Sequence, residues 1–156
     1  MPPNKHLLIV AHAPSPNLKR LVDALLKGAY SSEVSTVTSS YIPALSASAE
    51  DVLSADAVIL CTPENLGYMS GGLKDFFDRC YYPCLDKTDA LPCAILIRAG
   101  NDGTGTKRAI ESILTGLRWK RVQPALICRG EFDGLFIEQA EELGLFMAAG
   151  LEAGII

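Results

Sequence analysis

Five short apolar runs alternate with five helical patterns along this chain of 156 residues, and that alternation restricts the fold more than any single motif. The strand candidates are His6–Ala11, Glu33–Thr38, Ala57–Cys61, Cys93–Arg98 and Gln123–Cys128. The helix candidates are Asn17–Ala29, Ala49–Ser54, Gly71–Tyr81, Thr106–Leu117 and Leu135–Ala153. Strands separated by helices run parallel, because a parallel return needs a crossover segment of helical length. The first, third and fourth runs are continuously apolar, as strands covered by helices on both faces must be. The second, Val34-Ser35-Thr36-Val37-Thr38, alternates with polar residues and reads as an edge. These features fit a three-layer α/β fold, a doubly wound five-stranded parallel sheet in the order 2-1-3-4-5. With no repeat, low-complexity tract or dividing linker, residues 1–156 read as one domain.

In that order the chain reverses between strands 1 and 3, and ligands bind outside the carboxyl ends of the strands at such a point. The loops that converge there are Ala13–Pro16, Pro63–Ser70 and Gly100–Gly105. The middle one opens the segment TPENLGYMSGGLKDFFDR, Thr62–Arg79, which holds the strongest functional signal in the chain. It has few charges, and Pro63, Asn65, Gly67, Tyr68, Met69, Ser70 and Gly71 suit a flat, uncharged, hydrogen-bonding ligand. Leu73, Phe76 and Phe77 follow at i, i+3, i+4 and form the buried stripe of a helix. Ser70 reads as that helix's N-cap rather than a nucleophile, since no His–Asp pair stands ready to activate it.

The first loop, HAPSPNLKRL, reads as a strand-to-helix turn with Asn17 as N-cap and Ser15 beside the free N–H groups of the first turn. Such a turn either simply caps the helix or receives an anion such as a phosphate. Pro14 and Pro16 remove two backbone donors, so side chains would have to complete an anion nest. Lys19 and Arg20 lie one turn further on and read as surface charges that could contribute. The Gly-rich loop AGNDGTGTKRAI either approaches a flat ligand closely or is a flexible turn. It is not a nucleotide-hydrolysing P-loop, because Thr106 stands between Gly105 and Lys107 and the loop follows the fourth strand. Neither a dinucleotide G-x-G-x-x-G nor a cluster of acids stands at the end of the first strand. His12, Glu64 and Asp102 read as structural, capping or solvated groups rather than as acid–base catalysts.

Composition removes other classes. A formal charge of −4 without a Lys/Arg-rich run argues against nucleic acid as a partner. MPPNKHLLIVAHA has no signal-peptide pattern, no apolar run is long enough for a membrane span, and the expected compartment is the cytoplasm. The five cysteines, Cys61, Cys80, Cys84, Cys93 and Cys128, are an odd number and read as reduced core thiols. Cys80 and Cys84 have no further ligand to complete a zinc set, so no metal is expected. The helix from Leu135 carries Leu145, Phe146, Met147, Leu151, Ile155 and Ile156, more apolar surface than one face needs, and a homo-oligomer is expected.

With these loops in place, the whole chain resembles the flavodoxin-like proteins of the NAD(P)H-dependent FMN reductase and quinone reductase type. The resemblance is carried by T-P-x-x-x-G-x-M-S-G-x-L-K-x-F-x-D-R in Thr62–Arg79, by APSPN after the first strand and by AGNDGTGT after the fourth. It implies FMN at the switch point. Ser15, Pro16, Asn17 and Leu18 would meet the ribityl phosphate. Pro63, Glu64, Asn65, Leu66, Gly67, Tyr68 and Met69 would flank the isoalloxazine. Gly100, Asn101, Asp102, Gly103 and Gly105 would face its other side. It further implies NADH or NADPH as reductant, a quinone, free flavin or similar small molecule as acceptor, and no catalytic side chain, since the flavin does the chemistry. The sparse phosphate loop implies loosely held FMN. Two alternatives stand beside this: a flavodoxin-type electron carrier without its own NAD(P)H oxidation, and a flavin-free scaffold.

Overall fold

The computed structural model describes residues 4–156. Met1, Pro2 and Pro3, counted in the domain above, lie outside the described residues. In chain order the elements are β1 (Lys5–Ala11), α1 (Pro16–Ala29), β2 (Val37–Pro43), α2 (Ala49–Leu53), β3 (Ala57–Asn65) and β4 (Tyr68–Met69). They continue with α3 (Gly71–Cys84), β5 (Pro92–Ala99), α4 (Thr104–Leu117), β6 (Lys120–Arg121), β7 (Leu126–Arg129) and α5 (Gly134–Ala153). The sheet runs β2-β1-β3-β5, with β6 and β7 both pairing with β5, and all of these pairs are parallel. This is the flavodoxin-like 2-1-3-4-5 order, with its fifth strand made in two pieces.

Two hydrophobic layers flank the sheet. On one face Leu7, Ile9, Ile59 and Leu96 meet Leu21 and Leu25 of α1 and Ala140, Met147 and Leu151 of α5. On the other, Leu8, Val10, Leu60, Ile95 and Ile97 meet Leu73, Phe76 and Phe77 of α3 and Ile110 and Leu114 of α4. The alternation of partners along each strand is the period-2 geometry of a pleated strand buried on both sides.

Two strand boundaries differ from the sequence expectation. The second strand was expected at Glu33–Thr38 but runs Val37–Pro43, paired from Lys5↔Val37 to Ala11↔Pro43. The N–H groups of residues 35 and 36 are unavailable to the ladder, although the Thr36 carbonyl accepts the Lys5 N–H at 3.3 Å. The N–H and hydroxyl of both Ser35 and Thr36 donate to one carboxylate oxygen of Glu152, at 2.6 to 3.2 Å. The ladder then passes through Thr38-Ser39-Ser40, which carries no apolar signal. The fifth strand, expected at Gln123–Cys128, is interrupted. Between the pairs Cys93↔Arg121 and Leu96↔Leu126 the outer strand advances five residues while β5 advances three. The surplus bulges outward at Pro124, which has no N–H to give to a ladder.

The helices match more closely. The third, expected at Gly71–Tyr81, runs on to Cys84 with Pro83 in its last turn. Arg79 fastens it to the β2–α2 connection, donating to the carbonyls of Ala47 at 2.6 Å and Ala44 at 2.8 Å while its Nε pairs with Asp75. α1 and α5 cross almost backbone to backbone. A Cβ added to Gly28 would lie 1.9 Å from the Glu141 carbonyl oxygen, and one added to Gly144 would lie 2.0 Å from that of Leu25. Much of α5's apolar surplus is used in this contact: Met147, Ala148 and Leu151 are buried within the chain, while Leu135 and Ile155 stay exposed.

Candidate functional site

The three loops do converge at the carboxyl edge of the sheet, and the middle one is more ordered than its composition suggested. β3 continues past Cys61 to Asn65 and turns back as β4, with Glu64 opposite Met69 and Asn65 opposite Tyr68. The two-residue turn, Leu66 and Gly67, has φ of 54° and 74°. Positive φ at both positions is what a tight hairpin demands, and glycine meets it without strain. Leu66, fully exposed, carries the less comfortable half.

Hydroxyls close the base of this hairpin. Thr62 Oγ1 accepts the Ser70 N–H at 3.0 Å and donates to the Pro63 carbonyl at 2.9 Å. Ser70 Oγ in turn accepts the Leu73 N–H at 3.2 Å, capping α3 as expected. Both residues are fully buried. The Met69 side chain goes into the core under α3, so this residue offers the crevice only its backbone.

The hairpin is bolted to the Gly-rich loop in two places. Glu64 Oε2 accepts the Gly103 N–H at 2.6 Å. At the tip, the Gly67 carbonyl sits over the first turn of α4, so close that a Cβ on Gly105 would lie 2.5 Å from its oxygen. Gly103, with φ of 81°, has no room either, since a Cβ there would meet Ile127 at 2.6 Å. Gly103 and Gly105 therefore join the walls together, while Gly100, Asn101 and Asp102 are exposed and form the open rim. The carbonyl of Asp102 accepts from Arg129 Nε and its carboxylate accepts from the Thr104 hydroxyl, which holds the rim against β7.

In the first loop the N-cap is Ser15 rather than Asn17. Ser15 Oγ accepts the Leu18 N–H at 3.2 Å, and Pro16 takes the first helical position. Proline suits that position because its missing N–H would have no helical partner there. Leu18 is buried among α1 and α5, so its side chain is scaffold. Asn17 is exposed and accepts from Arg20 at 3.4 Å. His12 continues the β1–β3 pairing through its N–H to the Cys61 carbonyl, and its ring lies on Gly72, where a Cβ would come within 2.8 Å of it. His12 Nδ1 and, in the first turn of α4, Thr106 Oγ1 are buried without a hydrogen-bond partner.

A cluster between the end of β7 and α5 was not expected. Phe132, in the connection from β7 to α5, has the Arg20 guanidinium 5.0 Å from its ring centre and that of Arg98 at 5.7 Å. Arg98 also lies 5.4 Å from the Phe136 ring, and its Nη1 donates to the carbonyls of Ala99 at 2.7 Å and Cys128 at 3.0 Å. The signal for it is a single charge ending the apolar run Cys93–Ala99. The concavities of about 250 to 530 Å³ elsewhere on the molecule, along α1 and α5, between β7 and α5 and between α3 and α4, have none of the three loops' proposed ligand residues in their walls.

The thiols lie in the core. All five cysteines are free and buried, and burial pushes Cys61 and Cys93 up to about 12 and Cys80 and Cys128 up to about 11. Cys84 is raised for the same reason. The described residues also contain no group of three or more His, Cys, Asp or Glu able to hold a metal ion.

A family model described as NADPH-dependent FMN reductase matches residues 17–127. A flavodoxin of Aquifex aeolicus (strain VF5) is 30% identical over 111 residues, 71% of this chain and 59% of that protein's length. Among solved structures, a flavodoxin from the domain Archaea aligns at TM-score 0.79 and 16% identity, covering 94% of this chain and 98% of its own. The flavodoxin, WrbA-like protein from Agrobacterium tumefaciens aligns at TM-score 0.72 and 16% identity, covering 97% and 99%. At those identities the structural likeness establishes the fold.

Proposed function

We propose a function that starts from membership: the chain belongs to the NADPH-dependent FMN reductase family. In this reading it holds FMN at the three-loop crevice and passes electrons from NADH or NADPH to a small-molecule acceptor such as a quinone or free flavin. The observation that carries it is the hairpin Glu64–Met69, built from the most family-specific segment and held open over the switch point.

The residues present fit the group. A Cβ added at Gly67 or Gly100 would meet no atom within 4 Å, so both walls leave space for a flat ring. The orphaned His12 Nδ1 and Thr106 Oγ1 are polar groups of the kind a ligand or ordered water satisfies. Ser15, Pro16, Asn17 and Leu18 would take the phosphate end. Pro63, Glu64, Asn65, Leu66, Gly67, Tyr68 and Met69 would take one side of the ring, and Gly100, Asn101, Asp102, Gly103 and Gly105 the other. FMN, when bound, supplies the redox chemistry. The chain's part is to orient it. The Glu64–Gly103 bond sets the width of the cradle, and exposed Asn65 and Tyr68 offer amide and hydroxyl groups along its rim. Pro14 and Pro16 withhold two N–H donors and leave the Ser15 hydroxyl, which accepts the Leu18 N–H and keeps its own proton to donate, so FMN is held weakly and exchanges with solution.

Titration of FMN fluorescence tests binding, and anaerobic addition of NADH or NADPH tests reduction. Saturable binding with bleaching of the flavin band at about stoichiometric reductant supports the reductase. Binding without bleaching by either nicotinamide supports the carrier reading, which the 30% identity to a flavodoxin favours. Absence of saturable binding removes both.

A further inference from the structure

We infer that Tyr30 latches the free edge of the sheet, and that the edge it closes, the outer side of β2, is complementary to the same edge of a second copy of this chain.

The pairing of β2 with β1 decides which of its backbone groups face outward. The Thr36 carbonyl accepts the Lys5 N–H at 3.3 Å, and the Ala44 N–H donates to the Ala11 carbonyl at 2.9 Å. With Lys5 opposite Val37 and Ala11 opposite Pro43, it is Thr36, Thr38, Ser40, Ile42 and Ala44 that bond to β1. Val37, Ser39, Tyr41 and Pro43 turn their backbone groups to the other side, where β2 ends the sheet. Free edges are ordinarily protected by lysine, a bulge or a covering segment, because unpaired N–H and C=O groups are a template for another strand. The residues of β2, VTSSYIP, carry no charge at all.

Three contacts close this edge instead. At its start the Ser35 and Thr36 N–H groups donate to Glu152. At its end Pro43 has no N–H, and the Pro43 carbonyl accepts from Ser46 at 2.8 Å and Ala47 at 2.9 Å. In the middle the Tyr30 hydroxyl donates to the Ser39 carbonyl. Tyr30 caps the C-terminus of α1 through its backbone N–H but stays 60% exposed, so burial does little to hold its ring. Among the described residues, the N–H groups of Val37, Ser39 and Tyr41 and the carbonyls of Val37 and Tyr41 have no hydrogen-bond partner.

Those groups are self-complementary. A two-fold axis at Ser39 sets two β2 strands antiparallel, with Ser39 opposite its own copy and Val37 opposite the second copy's Tyr41. A β-branched residue facing an aromatic one is a favourable cross-strand pair, and an uncharged strand meets no like-charge repulsion. At the axis each Ser39 carbonyl must accept the other chain's Ser39 N–H. Tyr30 already occupies that carbonyl, so one hydroxyl in each chain blocks the centre of the pairing.

Sedimentation and amide hydrogen exchange on wild type, Tyr30→Ala, Tyr30→Phe and the double variant Tyr30→Ala/Thr38→Lys test this. Mass is read relative to wild type, so an assembly through α5 does not enter. Tyr30→Ala is expected to double the mass at micromolar concentration and to slow exchange of the Val37, Ser39 and Tyr41 amides about tenfold. Tyr30→Phe, which keeps the ring and loses the donor, should associate more weakly in the same way. Thr38 is exposed on this strand, and a lysine there opposes edge pairing, so the double variant should return to the wild-type mass. Wild-type mass and unslowed exchange in Tyr30→Ala would overturn the latch. So would a rise in mass that leaves those three amides exchanging as before, because the contact then lies elsewhere. If Tyr30→Ala does not fold, the same two readings on Tyr30→Phe decide: no change from wild type in either one sinks the inference.

Discussion

Glu64 shows why a residue's role depends on what it meets. In the sequence it is a loop acid among polar neighbours, one that reads as solvated or capping; in the structure its carboxylate holds a backbone N–H thirty-nine residues away. Replacing it with Ala is expected to cost about 1 kcal/mol of stability, since the group is only half-buried, and to lower FMN affinity by letting the cradle widen. Urea unfolding and flavin titration read the two effects separately. Gly105→Ala presses a methyl group on the Gly67 carbonyl. Its expected effect is a larger loss of flavin affinity than Gly100→Ala, whose new methyl meets open space; equal losses would count against the hairpin–α4 contact. Glu152 supplies a pH dependence. Four hydrogen bonds from Ser35 and Thr36, the backbone ones foremost, hold its carboxyl down to about 2 from an ordinary 4.5. A depressed carboxylate pKa stabilises the fold fully above the unfolded value and loses that contribution as pH falls from about 4.5 toward 2. Wild type should therefore be more stable than Glu152→Gln at pH 7, and the two melting curves should converge near pH 2.

Among elements, the helices were legible and the two outer strands were not. Helix ends carry their own chemistry: Ser48 with Asp51, Ser70, and Pro16 after Ser15 all act within four residues of where they stand. The core strands announce themselves because both faces are buried. β2 and the β6–β7 pair lie at the edges, where partners far away in sequence set the register. For β2 those are Lys5–Ala11 and Glu152, and for β6 and β7 it is β5 with the bulge at Pro124. The crossing of α1 and α5 belongs to this scale too. Gly28→Ala drives a Cβ into the Glu141 carbonyl, and overpacking of that kind costs about 2–3 kcal/mol. A fall in the urea midpoint with an unchanged m-value is the expected reading.

For the whole molecule, the buried thiols give a direct test. Native protein at pH 8 should resist alkylation at all five cysteines and react fully once unfolded; fast labelling of the folded protein at any one of them would contradict the burial. A homo-oligomer, dimer or tetramer, is proposed, with Leu135 in the first turn of α5 and Ile155 just beyond its end as exposed apolar residues. Sedimentation of a monomer at micromolar concentration removes it. No helix among the described residues is long and apolar enough to cross a membrane, and a cytoplasmic setting is likewise proposed, in keeping with the reduced thiols. The sequence by itself determined the βα alternation, the strand order and the three loops that meet at the switch point, because hydrophobic period and capping are local properties. Only the tertiary structure decided that the middle loop is a hairpin, that Glu64 and the glycines bolt it to α4, and that Arg98 meets Phe132 and Phe136. The hairpin closes over three to eight residues, but its ties to α4 and the Arg98–Phe132 contact join residues about thirty to forty positions apart, and nothing in the local sequence specifies which partner a donor will meet.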